Sequence, residues 1–133
     1  MEEMAKICSK TPLAIALDEE LIGINNLADK KTLLEHIKPQ YIILKPSLVG
    51  GFMASEEWII LAKKLNINWW ATSALESNIG LNAIAQWTAS MNTKMYQGLG
   101  TGSLYTNNIA ANLEIRKGHL WLNDDDFDLS LFV

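Results

Sequence analysis

The sequence predicts an α/β fold, and within that class a partial (β/α) barrel, on three observations. Short apolar runs begin near Leu13, Tyr41 and Ile67, and a shorter one near Met95, a spacing of about 27 residues that suits one strand-plus-helix unit. Helical periodicity fills each interval between the first three runs. Each of those runs also ends in polar or charged residues: Asp18, then Lys45, then Thr72 and Ser73 with Glu76. In parallel α/β folds such strand ends converge on the face where ligands bind. A complete barrel takes about 250 residues, so the 133 present supply about half of one. The whole chain, 1–133, is read as one partial-barrel domain. Its βα units run to about residue 104, and a C-terminal extension with a hairpin occupies about 105–133.

The elements follow in order. Met1, Met4, Ala5 and Cys8 fall on one face of a short helix that Pro12 ends. Leu13-Ala14-Ile15-Ala16-Leu17 is an unbroken apolar strand. A second helix is expected to start with Asp29 as its cap, to bury Leu33, Leu34 and Ile37, and to stop at Pro39. Tyr41-Ile42-Ile43-Leu44 is a strand covered on both faces, since nothing in it alternates polar. Pro46 keeps Lys45 extended and argues against a helix at that point, and Gly50 and Gly51 allow a turn. Ser55 is expected to cap a third helix with Trp58, Leu61, Ala62 and Leu65 on its apolar face. Ile67-Asn68-Trp69-Trp70-Ala71 is the third strand, and a helix from about Gly80 to Ser90 follows it. Met95-Tyr96 is a candidate fourth strand, and Leu113–Ile115 with His119–Leu122 form a hairpin about Lys117-Gly118. Leu13, Ile15, Ile42, Leu44 and Trp69 or Trp70 are the candidates to line the barrel's inner face.

Composition excludes several function classes. With 49% hydrophobic and 20% charged residues the chain is globular rather than disordered. A net charge of −4 and the lack of a basic cluster with interleaved aromatics exclude a nucleic-acid partner. The single cysteine, Cys8, cannot form an internal disulfide, which fits a cytoplasmic setting. The start of the chain reads as no signal peptide, and no stretch reaches the ~20 apolar residues of a membrane span.

On residues alone, the polar strand ends leave alternatives open. Asp18 is either a hard oxygen ligand for a cation such as Mg²⁺ or part of a solvated acidic loop with Glu19 and Glu20. Lys45 is either an acid/base or anion-stabilising group, or a lysine reaching to solvent. Thr72 and Ser73 suit a substrate carboxylate or a helix cap. Glu76 is a partner for Lys45 or a surface charge. His36 and His119 have no companions at metal-ligand spacing. The acids from Asp124 to Asp128 lack the glycine and terminal glutamate of a calcium loop, so they read as a solvated tail. Gly98, Gly100 and Gly102 do not match the dinucleotide fingerprint in spacing.

Three stretches together resemble a known family. They are Ile15-Ala16-Leu17-Asp18-Glu19-Glu20, Leu44-Lys45-Pro46-Ser47-Leu48-Val49-Gly50-Gly51 and Ser73-Ala74-Leu75-Glu76-Ser77-Asn78-Ile79-Gly80-Leu81. They are similar to the carboxyl half of the o-succinylbenzoate synthases, in the enolase superfamily, whose barrel is a (β/α)7β variant. The resemblance implies a lyase that removes water, with Mg²⁺, from a succinyl-hydroxycyclohexadiene carboxylate in menaquinone biosynthesis. It implies Asp18 as a metal ligand, Glu19 as a group behind that ligand, and Lys45 as the catalytic cation facing the substrate. It implies Thr72, Ser73 and the backbone near Gly98 as substrate-binding positions. The family's base lysine and two further metal carboxylates have no counterpart here, so the resemblance implies a chain inactive by itself. It also implies a partner, either a second copy or the missing amino-terminal half. Two alternatives accompany it: an N-acylamino acid racemase or dipeptide epimerase of the same superfamily, and a non-catalytic, self-associating half-barrel.

Overall fold

A computed structural model describes residues 1–110 and 112–123. Those residues belong to two compact units, one spanning Met1–Thr72 and the other starting at Ser73. The acidic tail from Asp124 onward lies outside the described residues.

The first unit is a three-stranded parallel sheet in the order β1-β2-β3, formed by β1 (Ala16–Leu17), β2 (Tyr41–Leu44) and β3 (Asn68–Ala71). Parallel neighbours need long crossovers. Helix α2 (Leu27–Ile37) supplies the first, and α3 (Pro46–Val49) with α4 (Gly51–Lys64) supplies the second. Helix α1 (Glu2–Lys10) packs on α2, and α2 packs on α4. The βα repeat anticipated from the spacing is therefore present in this unit.

The first strand is shorter than its apolar run. Only Ala16 and Leu17 join the ladder, while Leu13 is 71% exposed. The backbone just before β1 is held by Gln40 instead, whose side-chain oxygen accepts from the Ile15 N–H at 2.8 Å. The Ile15 carbonyl in turn accepts from the Gln40 and Tyr41 N–H groups.

Register decides which residues share a face. Leu17 lies opposite Ile42 and Ile42 opposite Trp69, with Leu44 opposite Ala71. All five are buried. The other face carries Ala16, Tyr41, Ile43 and Trp70, each only half-buried. Tyr41 and Trp70 meet there with ring centroids 5.7 Å apart. This corrects the expected inner face: Ile42, Leu44 and Trp69 belong to the fully covered side, on the β3 flank of which α4 packs. Trp70 stands on the less covered side, with Tyr41 and Ile43. The period of two dictates the outcome once a single position is assigned.

Helix starts depart from expectation in three places. Asn26, not Asp29, caps α2, with its side-chain oxygen accepting from the Asp29 N–H at 2.8 Å. Pro46 opens α3 rather than forbidding a helix, because a first-turn position has no N–H bond to lose. Gly50, at φ 100°, ends α3 and lets the chain restart at once as α4. Ser55 therefore lies inside α4, buried, with its hydroxyl donating to the Gly51 carbonyl at 2.8 Å.

The second unit is built on α5 (Asn78–Ser90) and an antiparallel hairpin of β4 (Leu113–Arg116) and β5 (His119–Leu122). Leu81, Ile84 and Leu99 form its core, with Ala85, Leu113 and Leu120 packed against them. The hairpin turns through Lys117 (φ 51°) and Gly118 (φ 77°), the two positive-φ positions that a tight hairpin turn requires. Met95 and Tyr96 form no strand. They lie in irregular backbone, with Tyr96 98% exposed.

One buried charge has no counterpart in the sequence pattern. Lys30 is fully buried, and its ammonium donates to Glu57 Oε2 at 2.7 Å and to the Ala54 carbonyl at 3.1 Å, 5.5 Å from the Trp58 ring centroid. It ties α2 to α4. Cys8 is also buried, and burial pushes its thiol up from the ordinary value, so it is poorly disposed to react.

Removing Glu57 should strand the Lys30 charge in the interior, whereas removing Lys30 leaves a carboxylate that reaches water. Glu57→Ala is therefore expected to cost about 1–3 kcal/mol, and Lys30→Met clearly less. Urea unfolding of both variants checks the order, and a larger loss in Lys30→Met would contradict it.

Candidate functional site

The polar strand ends take their positions from the same alternation that sorts the sheet faces. Asp18 follows β1 and Lys45 follows β2, each in phase with the less covered face that holds Ala16 and Ile43. Thr72 follows β3 in phase with Trp70. Side chains one step beyond the strands thus belong to the face of Tyr41 and Trp70, not to the helix-covered side.

Asp18 and Lys45 are brought together. The Lys45 ammonium donates to Asp18 Oδ2 at 2.8 Å, and Glu19 Oε1 lies 4.0 Å from the same nitrogen. The lysine side chain is 19% exposed and the aspartate 36%, while Glu19 is 79% exposed. The close pair is a charge-assisted hydrogen bond partly shielded from water, and the Glu19 approach is an outer, solvated one. Of the two alternatives open for Lys45, the solvent-reaching lysine is the one that this burial disfavours.

Local backbone holds both ends of the pair. Lys45 is extended (φ −108°, ψ 91°), as the following proline requires, and its carbonyl accepts from the Leu48 and Val49 N–H groups. Asp18 sits at the start of a 3₁₀ turn, Glu19–Leu21, whose Leu21 is fully buried. The Asp18 N–H donates to Glu20 Oε2 at 3.1 Å. Glu20 closes the first of the family-like stretches, and only the turn geometry reveals that it steadies the aspartate backbone.

Asp18 has one oxygen left over. Its Oδ1 is buried and lacks a hydrogen-bond partner among the described residues. A buried, anionic, unpartnered oxygen is suited to a hard cation such as Mg²⁺. The fit extends to one ligand. Among the described residues no group of three or more His, Cys, Asp or Glu side chains could hold a metal.

The remaining predicted positions fall as follows. Ser73 is buried, accepts from the Leu75 N–H at 3.2 Å, and shares a hydrogen bond with the Thr101 hydroxyl. It does not cap α5, which begins after Ser77. Thr72 and Gly98 are half-buried, and both take part in polar contacts. Thr101 is a polar partner that sequence reasoning missed. Its signal is its place in the glycine-rich loop that also carries Gly98. His36 pairs with Glu2 at 3.0 Å and His119 lies 3.1 Å from the Lys117 carbonyl, so each has a local role. In the second unit a groove of about 480 Å³ runs between α5 and the hairpin, lined by Ala85, Ala89, Leu99, Ile115, Leu120 and Leu122 among others. Among the described residues no helix is long and apolar enough to cross a membrane.

Comparison with known proteins agrees with this architecture. The sequence is 58% identical over 118 residues to the o-succinylbenzoate synthase of Desulfotalea psychrophila, covering 89% of this chain and 32% of that protein. It is 32% identical over 103 residues to the o-succinylbenzoate synthase of Vibrio cholerae, covering 71% of this chain and 28% of that protein. Among solved structures it superposes on MenC from Desulfotalea psychrophila with a TM-score of 0.86, covering 90% of this chain and 33% of that one. It superposes on the muconate lactonizing enzyme from Pseudomonas putida with a TM-score of 0.77 at 21% identity, a likeness of fold alone. The chain spans about a third of the length of the relatives it matches. By its sequence, which matches the family over residues 1–126, the chain belongs to the enolase C-terminal domain-like proteins.

Proposed function

We propose that this chain is the carboxyl-terminal portion of a Mg²⁺-dependent o-succinylbenzoate synthase, a hydro-lyase. It would act on a succinyl-hydroxycyclohexadiene carboxylate, releasing water and o-succinylbenzoate. The observation that carries the reading is the Lys45–Asp18 pair, 2.8 Å apart at the ends of adjacent parallel strands, with Asp18 Oδ1 still open. The 58% identity to a named synthase supports it over the racemase and epimerase alternatives.

The residues have separable tasks. Asp18 would hold the metal through Oδ1 while its other oxygen keeps the Lys45 ammonium in place. When bound, Mg²⁺ supplies positive charge that lowers the cost of forming an anion on the substrate. Lys45, mostly shielded and extended by Pro46, places a compact cation where negative charge develops as the carbon acid loses its proton. Glu19 would act behind Asp18, tempering the field at the ammonium from 4.0 Å. Thr72, Ser73 and Gly98 belong to the same proposal as substrate-binding positions, on the strength of the resemblance. A base to take the substrate proton and further metal carboxylates would come from the amino-terminal half, since a second copy repeats the same residues, and either that half or a second copy would pair the outer edge of β1. Within the first unit, β1 is hydrogen-bonded to β2 alone among the described strands.

Three outcomes test this reading. In a complete enzyme carrying this segment, Asp18→Asn should weaken Mg²⁺ binding and remove most turnover, because an amide replaces an anionic ligand. Normal metal affinity in that variant would sink the assignment. Lys45→Ala should lose roughly 10²-fold or more in rate, and Lys45→Arg should not restore it, since a planar guanidinium does not fit the place of an ammonium. Steady-state kinetics decide, and an arginine variant of near-normal rate would show a lysine with no positional role. Finally, the isolated 133 residues should self-associate at micromolar concentration, because an open strand edge lies beside a half-covered aromatic face. Sedimentation would reveal it, and a monodisperse monomer would contradict the expectation.

A further inference from the structure

Resting on that reading, we propose that Thr101 is an oriented hydroxyl donor for a carboxylate oxygen of the ligand, with Ser73 as the positioning residue that sets its direction. A serine hydroxyl has one proton to give and two lone pairs to receive. Ser73 is 4% exposed, and its oxygen already accepts from the Leu75 N–H at 3.2 Å. Its other neighbour is the Thr101 hydroxyl, and either oxygen is able to donate in that bond. Were Thr101 the donor, Ser73 would accept twice, and its own proton would be buried without an acceptor among the described residues. That arrangement forfeits a hydrogen bond in the interior, which is the costly case. Ser73 therefore donates, and the Thr101 proton turns away from it.

Thr101 is half-buried, and its hydroxyl makes no other hydrogen bond among the described residues. Its proton is thus left to give at the end of a chain running from the Leu75 amide through Ser73, and such chains polarise each successive bond. The loop that carries it is held firmly. The Asn108 side-chain oxygen accepts from the N–H groups of Asn78 (2.8 Å) and Ile109 (3.0 Å), while its amide donates to the Gly102 carbonyl at 2.9 Å. The Asn78 amide donates in turn to the Ile109 carbonyl. The loop lies so close to α5 that a Cβ on Gly102 would fall 2.8 Å from Asn78 Oδ1 and 3.0 Å from Leu81 Cδ2. A donor fixed in direction on a clamped loop costs little reorganisation when an anion arrives. The carboxylates of the proposed ligand are the acceptors it suits.

The test titrates the whole chain with o-succinylbenzoate and, separately, with succinate, following amide shifts by NMR. Thr101→Val should weaken binding roughly tenfold to a hundredfold, Thr101→Ser by no more than about twofold, and Ser73→Ala by an intermediate factor, as for a hydrogen bond to a charged group. Slow exchange of the Asn78 and Ile109 amides shows that the loop survives in each variant. If Thr101→Val loses that protection, Ser73→Ala carries the test, and unchanged binding there overturns the relay. Equal binding of o-succinylbenzoate by wild type and Thr101→Val overturns the donor and leaves the synthase reading standing. Thr101-dependent binding of succinate without binding of o-succinylbenzoate supports the donor and counts against the synthase reading. A chain that binds neither carboxylate overturns the proposal.

Discussion

Everything of chemical interest in the first unit depends on the parallel register of β2 between β1 and β3. Setting Ile42 opposite both Leu17 and Trp69 puts the large apolar side chains on the covered side. By the alternation of a strand, the next residues on the other side are Asp18 and Lys45. A slip of one residue would bury the ammonium among aliphatic side chains and turn Ile42 and Leu44 outward. The desolvation cost of that arrangement far exceeds what the salt bridge contributes, so the register protects the pair rather than the reverse.

The pair itself is poised rather than saturated. Lys45 takes one oxygen of Asp18 and leaves the other buried and open, and Glu19 stands off at 4.0 Å in solvent. A carboxylate engaged on both oxygens would have nothing to offer a cation. A lysine with no anion beside it would be expensive to keep four-fifths shielded. Giving one carboxylate oxygen to the ammonium and leaving the other open meets both conditions at little structural cost.

The two buried lysine arrangements in this unit contrast. Lys30 is more deeply buried than Lys45, yet its ammonium is committed to Glu57 and a main-chain carbonyl between two helices. The same ammonium lies over the Trp58 ring, 5.5 Å from its centroid. Burial of a charge alone therefore does not mark a site. Position at a strand's carboxyl end, with a partner that keeps an open oxygen, separates Lys45 from Lys30.

Much of this was legible in the sequence by itself. The βα spacing, the short parallel strands, the hairpin about Lys117-Gly118 and the polar strand ends all follow from periodicity and turn chemistry, which are local. The quoted motifs also led to the right family, because three short stretches in order at barrel spacing are specific together. What the sequence left open was decided at long range. Which face of β2 is covered cannot be told when Tyr41 to Leu44 are all large and apolar, and only the register settled it. Asn26 displaced Asp29 as a cap, and Pro46 opened a helix, since both residues suit more than one position in a first turn. Nothing local in the sequence marks Lys30 for burial, and it is α4 that brings Glu57 and Ala54 to it. Thr101 gains a partner in Ser73 only because the chain folds back across 28 residues, a side-chain pairing that no local pattern specifies.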